Sequence, residues 1–90
     1  MSNDTRIRHL TADVARFCAE SADLAPGQRL RQLTRLRTSL ENVTGQALDE
    51  GMKAARNENW GLRRIGEAAD LSHETVRHRL ARTSLQDGAA

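Results

Sequence analysis

The long apolar patterns of this chain advance by steps of three and four, which points to a fold of helices. Valine and isoleucine together occupy five positions, and no segment alternates apolar with polar residues. The first pattern runs Ile7, Leu10, Val14, Phe17 or Cys18, and Ala22, a single stripe on one helical face. Asn3 or Asp4 is expected to cap its start. The run Leu24-Ala25-Pro26-Gly27 is expected to end it, because proline and glycine both interrupt helices.

The second pattern runs Leu30, Leu33, Leu36, Leu40 and Val43, continuing to Ala47 or Leu48, Met52 and Ala55. Leu33, Leu40 and Ala47 repeat every seven residues, with Leu36 and Val43 between them, in the manner of a short coiled-coil seam. The seam lasts about two heptads, so a bundle helix fits the pattern as well as a zipper does. One long helix is expected over 28–57, with a break near Thr44-Gly45 left open. Arg29, Arg31, Arg35 and Arg37 form a basic run without acids at its start. The run reads either as a solvated helix face or as a second phosphate contact.

Ninety residues hold one small domain, too little for a doubly wound sheet enzyme or a barrel. Leu, Ile, Val and Phe fill 17 of the 90 positions, and the aromatics are Phe17 and Trp60 alone. So thin a core calls for help, most simply from a second copy. Thirteen arginines and one lysine stand against twelve acids, a net charge of +2. Any nucleic-acid surface must therefore come from segregation of charge, and a purely nonspecific DNA coat is disfavoured. The single cysteine, Cys18, excludes an internal disulfide and a cysteine-based zinc site, and its place beside Phe17 suits a small buried hydrophobe. No stretch approaches the ~20 apolar residues of a membrane span. The opening MSNDTRIRH has no apolar signal core, so a cytoplasmic protein is expected.

The most informative segment is NWGLRRIGEAADLSHETVRHRLAR, Asn59 to Arg82. Asn59 can cap a helix beginning at Trp60, and Leu62, Ile65, Ala68 and Ala69 form its apolar stripe. Asp70-Leu71-Ser72 interrupts the pattern. Ser72 is a good cap for the next helix, its hydroxyl accepting the backbone N–H of Thr75, and Glu74 suits the positive helix end. Val76 and Leu80 supply the buried side. Gly66 sits within a short helix, where glycine is costly, and close approach of the second helix gives a reason for it. Trp60 fits best as a core plug where two helices meet.

The pattern Ile65-Gly66-x-x-Ala69-x-Leu71-Ser72-x-x-Thr75-Val76 resembles the helix-turn-helix DNA-binding superfamily, especially small bacterial regulators, sigma-factor-like domains and the DNA-binding segments of recombinases. Trp60 with Ile65-Gly66, after a helix like Ala47 to Asn57, is similar to a group of short bacterial proteins of this type. The resemblance covers about 46–82. It departs at Asp70, where the superfamily usually carries glycine, although Asp tolerates the left-handed conformation.

The resemblance implies that the helix 72–82 enters the major groove of double-stranded DNA. His73, Glu74, Arg77 and His78 would then read bases, with Arg77 placed for guanine O6 and N7 and Glu74 for a cytosine amino group. Ser72, Thr75, Arg63, Arg64, Arg79 and Arg82 would contact phosphates. Leu30, Leu33, Leu36, Leu40 and Val43 are expected to form the dimer interface.

The expected architecture is all-α. An N-terminal helical dimerisation or interaction region occupies 1–45, a helix-turn-helix 46–83 and a frayed tail 84–90. No nucleophile–base set or phosphate-cradling loop is visible, so an enzyme is not expected. Neither a cofactor nor a metal is expected, since His73 and His78 have no cysteine near them. The expected function is that of a sequence-specific, nucleoid-associated transcriptional regulator, homodimeric on a palindromic site. The alternatives are an architectural plasmid, phage or nucleoid factor, and a helical protein-interaction module such as an antitoxin or polymerase partner using residues 5–57, and either reading admits a protein partner through residues 1–45.

Overall fold

The computed structural model describes the backbone of residues 2–89 and the side chains of residues 2–83. The chain is all-α. Its helices are α1 (Asn3–Glu20), α2 (Pro26–Asn57), α3 (Leu62–Ala69) and α4 (His73–Ala89), with a 3₁₀ turn at Ser21–Asp23. No strand occurs among the described residues. The chain divides into two compact units, Met1–Leu40 and Glu41–Ala90.

In the first unit α1 is capped by Ser2, whose hydroxyl accepts the N–H of Thr5 at 3.2 Å. The cap expected at Asn3 or Asp4 therefore lies one residue earlier. Ser, Asn and Asp all cap well, and a cap at Ser2 also leaves Asp4 in the first turn, against the positive helix end. The helix ends at Glu20, before the Ala22 to which its apolar stripe extends. The chain tightens there into the 3₁₀ turn. Ser21 is buried and its hydroxyl donates to the Cys18 carbonyl at 2.6 Å, while Cys18 itself is half-buried.

Pro26 opens α2 at the first helical position, where a missing N–H leaves nothing unbonded, and Arg29 N–H donates to the Ala25 carbonyl. The helix thus starts two residues before the expected 28. Among the described residues no apolar side chain of this unit is buried, and Ile7, Leu10 and Leu30 are largely exposed.

The apolar core lies in the second unit. Met52, Ile65 and Val76 are 3%, 2% and 0% exposed, and Ala55, Trp60, Leu62, Leu71 and Leu80 pack around them. Burial of side chains of this size stabilises by about 1.5–3 kcal/mol each. The second half of α2 supplies Met52, α3 supplies Ile65 and α4 supplies Val76, so this core joins three helices. The helix is continuous through Gly45, which settles the break left open there.

Asn59 does not cap α3. It ends α2 in the left-handed conformation, φ 67°, with its own N–H donating to Arg56 O at 2.9 Å and the Trp60 N–H to Ala55 O at 3.1 Å. This pair of bonds is a Schellman termination, and asparagine is one of the few residues besides glycine that accept it. The next helix begins later, after Gly61, which makes no side-chain cap bond.

Candidate nucleic-acid interface

The link between α3 and α4 is built from local chemistry. Asp70 takes the left-handed conformation, φ 56° and ψ 44°, and the Leu71 N–H donates to the Gly66 carbonyl at 2.9 Å. The turn folds back so closely that a Cβ on Gly66 would lie 2.5 Å from the Leu71 carbonyl oxygen. Glycine is required here by the approach of the backbone, not by its own dihedral angles. Ser72 starts α4, its Oγ accepting the Thr75 N–H at 3.1 Å and its carbonyl accepting the Val76 N–H at 3.0 Å.

This geometry gives α4 two faces. Val76 is fully enclosed and Leu80 is partly buried. His73, Glu74, Arg77 and His78 are exposed on the rest of the surface. Glu74 joins two of these neighbours. It accepts a hydrogen bond from the Arg77 guanidinium, and its other oxygen lies 3.7 Å from His73 Nε2. An acceptor and a fork of donors therefore stand side by side on the outer face of α4.

The six residues assigned to phosphates have different surroundings. Ser72 and Thr75 are exposed and hydrogen-bonded to each other at 2.9 Å. Arg63 is exposed at the rim of a polar depression shared with Glu67, Asp70 and His73. Arg64 lies 3.7 Å above the Trp60 ring in a cation–π contact. Trp60 packs on the core as expected of a plug, and its carbonyl accepts from Arg56 at 2.9 Å.

Arg79 is drawn inward. Its Nε donates to Asp49 Oδ1 at 2.7 Å and its Nη2 to the Gly45 carbonyl at 3.1 Å, and both charged side chains are only 20% exposed. Its guanidinium ties α4 to α2 and does not project outward. Arg82 reaches the other oxygen of the same carboxylate at 3.6 Å while staying exposed. Asp49 and the Gly45 carbonyl thus hold Arg79 in place, and the spacing of the sequence does not show it. Thirty residues separate Asp49 from Arg79, and no local pattern carries such a pairing.

Of the proposed interface residues, Leu30 and Val43 are 67% and 69% exposed, Leu40 is exposed, and Leu33 and Leu36 are half-buried. In the second unit an open apolar groove of about 530 Å³ runs beside Ala47, Leu48, Gly51, Met52 and Ala68. Among the described residues no group of three or more His, Cys, Asp or Glu is gathered to hold a metal ion. No described helix is long and apolar enough to cross a membrane. The loose tail expected at 84–90 falls on side chains outside the described residues, and the helical backbone of α4 runs on to Ala89. Comparison with protein-family models, curated proteins and solved structures finds no match to this chain.

Proposed function

We propose that this chain is a sequence-specific double-stranded DNA-binding regulator that reads its site through α4. The observation that carries the reading is the tight α3–turn–α4 unit, in which Gly66 meets Leu71 while His73, Glu74, Arg77 and His78 stay exposed. That is the arrangement a helix-turn-helix needs, since one helix must be held by its inner face while its outer face enters the major groove. The acceptor–donor pair of Glu74 and Arg77 suits direct readout of a base pair.

Pairing of two copies through Leu30, Leu33, Leu36, Leu40 and Val43 completes the reading. The first unit buries none of its described apolar side chains, and a partner would cover them. Two recognition helices about 34 Å apart would then read a palindromic site in the nucleoid. The same exposed face favours a second reading, a protein-interaction module working through residues 1–45.

Selection from random duplex DNA, followed by competition against unrelated duplex, tests the function. A defined site bound tightly over unrelated duplex supports the regulator. Equal binding to every duplex makes the chain an architectural DNA factor, and no binding at low salt leaves the interaction module.

A further inference from the structure

The excess positive charge of this chain does not lie in the unit that contains α4. The first unit carries seven basic and four acidic residues, and the second carries seven and eight. The cations of the second unit are also largely engaged. Arg77 bonds Glu74, Arg79 and Arg82 share Asp49, Arg64 covers Trp60 and Arg56 bonds its carbonyl. Arg63 is exposed outside these contacts, but acids outnumber bases in this unit, so the neutralisation of phosphates, the usual source of DNA affinity, is weak around α4.

The first turns of α2 have what the second unit lacks. From Gln28 to Leu40 there are four arginines and no acid. Arg29, Arg31, Arg35 and Arg37 are all exposed, and among the described residues none makes an ion pair or side-chain hydrogen bond. Arg31 and Arg35 lie four residues apart on one face, about 6 Å along the axis. Arginine presents a planar fork that grips a phosphate bidentately, and the helix holds the forks of Arg31 and Arg35 side by side, whereas Arg29 and Arg37 leave it more than about 100° away, on the side of the leucines. The aromatic platforms that a single strand would stack on are absent from this stretch, so the pair suits a duplex backbone.

We infer that the face of α2 bearing Arg31 and Arg35 is a second DNA contact surface, gripping the phosphate backbone and supplying the sequence-independent part of the affinity. The inference rests on the duplex-binding reading above and deepens it. The second unit selects the site, and Arg31 and Arg35 hold the strand.

The test uses the whole chain and measures duplex binding from about 50 to 200 mM salt. The wild type is compared with Arg31→Gln/Arg35→Gln and with Arg6→Gln/Arg8→Gln, which removes the same charge from α1. Glutamine keeps helix propensity close to that of arginine, so folding is preserved and is checked by circular dichroism. In the proposed pair of copies the variant loses four phosphate contacts, which reduces the steepness of log K against log salt by about 3.6, so the wild type weakens on the order of 100-fold more than the variant over that range. The selected site and unrelated duplex should be affected alike, and Arg31→Lys/Arg35→Lys should restore the slope. An unchanged slope, or an equal fall for Arg6→Gln/Arg8→Gln, overturns the arginine surface. Arg77→Ala separates this from the regulator reading. If it alters site preference while the arginine variants do nothing, only the second surface falls. If the arginine variants lower the slope while Arg77→Ala leaves site preference intact, the surface stands and readout by α4 falls.

Discussion

Replacing Gly66 by alanine tests the geometry on which α4 is hung. The added Cβ would lie 2.5 Å from the Leu71 carbonyl oxygen and 3.6 Å from the His73 nitrogen. The first distance is far inside ordinary contact, and the obstructing atom belongs to backbone that cannot rotate away. Relief requires the turn to open, and the Leu71 N–H bond to the Gly66 carbonyl lies in that turn. Overpacking of this kind costs about 1–3 kcal/mol, and the contact with backbone puts Gly66→Ala at the upper end. Alanine recovers about 1 kcal/mol of helix propensity, leaving a net loss of about 2 kcal/mol. For a chain of this size that is a fall in Tm of about 8–16 °C, read by circular dichroism at 222 nm. Gly51→Ala is the matched control. Nothing lies within 4 Å of its added Cβ, so only the propensity gain applies, and Tm should rise by about 4–8 °C. Equal shifts for the two variants, or a Gly66→Ala protein as stable as the wild type, would refute the close approach.

Ser72→Ala should cost about 1 kcal/mol in thermal unfolding through loss of the cap on Thr75, whereas Ser72→Asp should keep that stability and weaken duplex binding. Asp49→Asn separates two roles for Arg79. As a tie between α4 and α2 it predicts a stability loss of about 1–2 kcal/mol and weaker duplex binding, while a phosphate ligand released from Asp49 would bind duplex more tightly. Arg77→Ala should weaken binding to the selected site by about 1–3 kcal/mol and relax preference at one base pair, measured by anisotropy across single-base variants, and a uniform loss across sequences would assign it to phosphate. Light scattering at micromolar concentration should give twice the chain mass, and Leu36→Asp should return it to the monomer, whereas a wild-type monomer would remove the proposed pairing through α2.

Features fixed by neighbours in sequence were legible before the structure. The apolar stripes required helices, and Gly66, Asp70 and Ser72 together marked a close turn because each supplies a different local need: space, a left-handed residue and a cap. Ambiguous residues were placed less well. Asn59 suits both a helix start and a left-handed helix end, and only the two bonds to Ala55 and Arg56 decide between them. Ser2, Asn3 and Asp4 are all capping types, so the first helix could be placed to within a residue and no better. Pro26 suits a helix stop and a helix start alike, and here it opens α2. The clamp of Arg79 on Asp49 and Gly45 was invisible, because helical periodicity reports which way a side chain leaves its own helix and says nothing about a carboxylate thirty residues earlier.

Trp60 has a spectroscopic consequence. It is the only tryptophan, the chain has no tyrosine, and the ring sits half-buried under Arg64 against the core of the second unit. Its fluorescence therefore monitors Glu41–Ala90 alone, while far-ultraviolet ellipticity counts the helices of both units. If the units melt together, the two signals trace one transition. If the sparsely buried first unit loosens earlier, ellipticity falls while the emission stays native, and the interval between the curves measures the independence of the two units without a label.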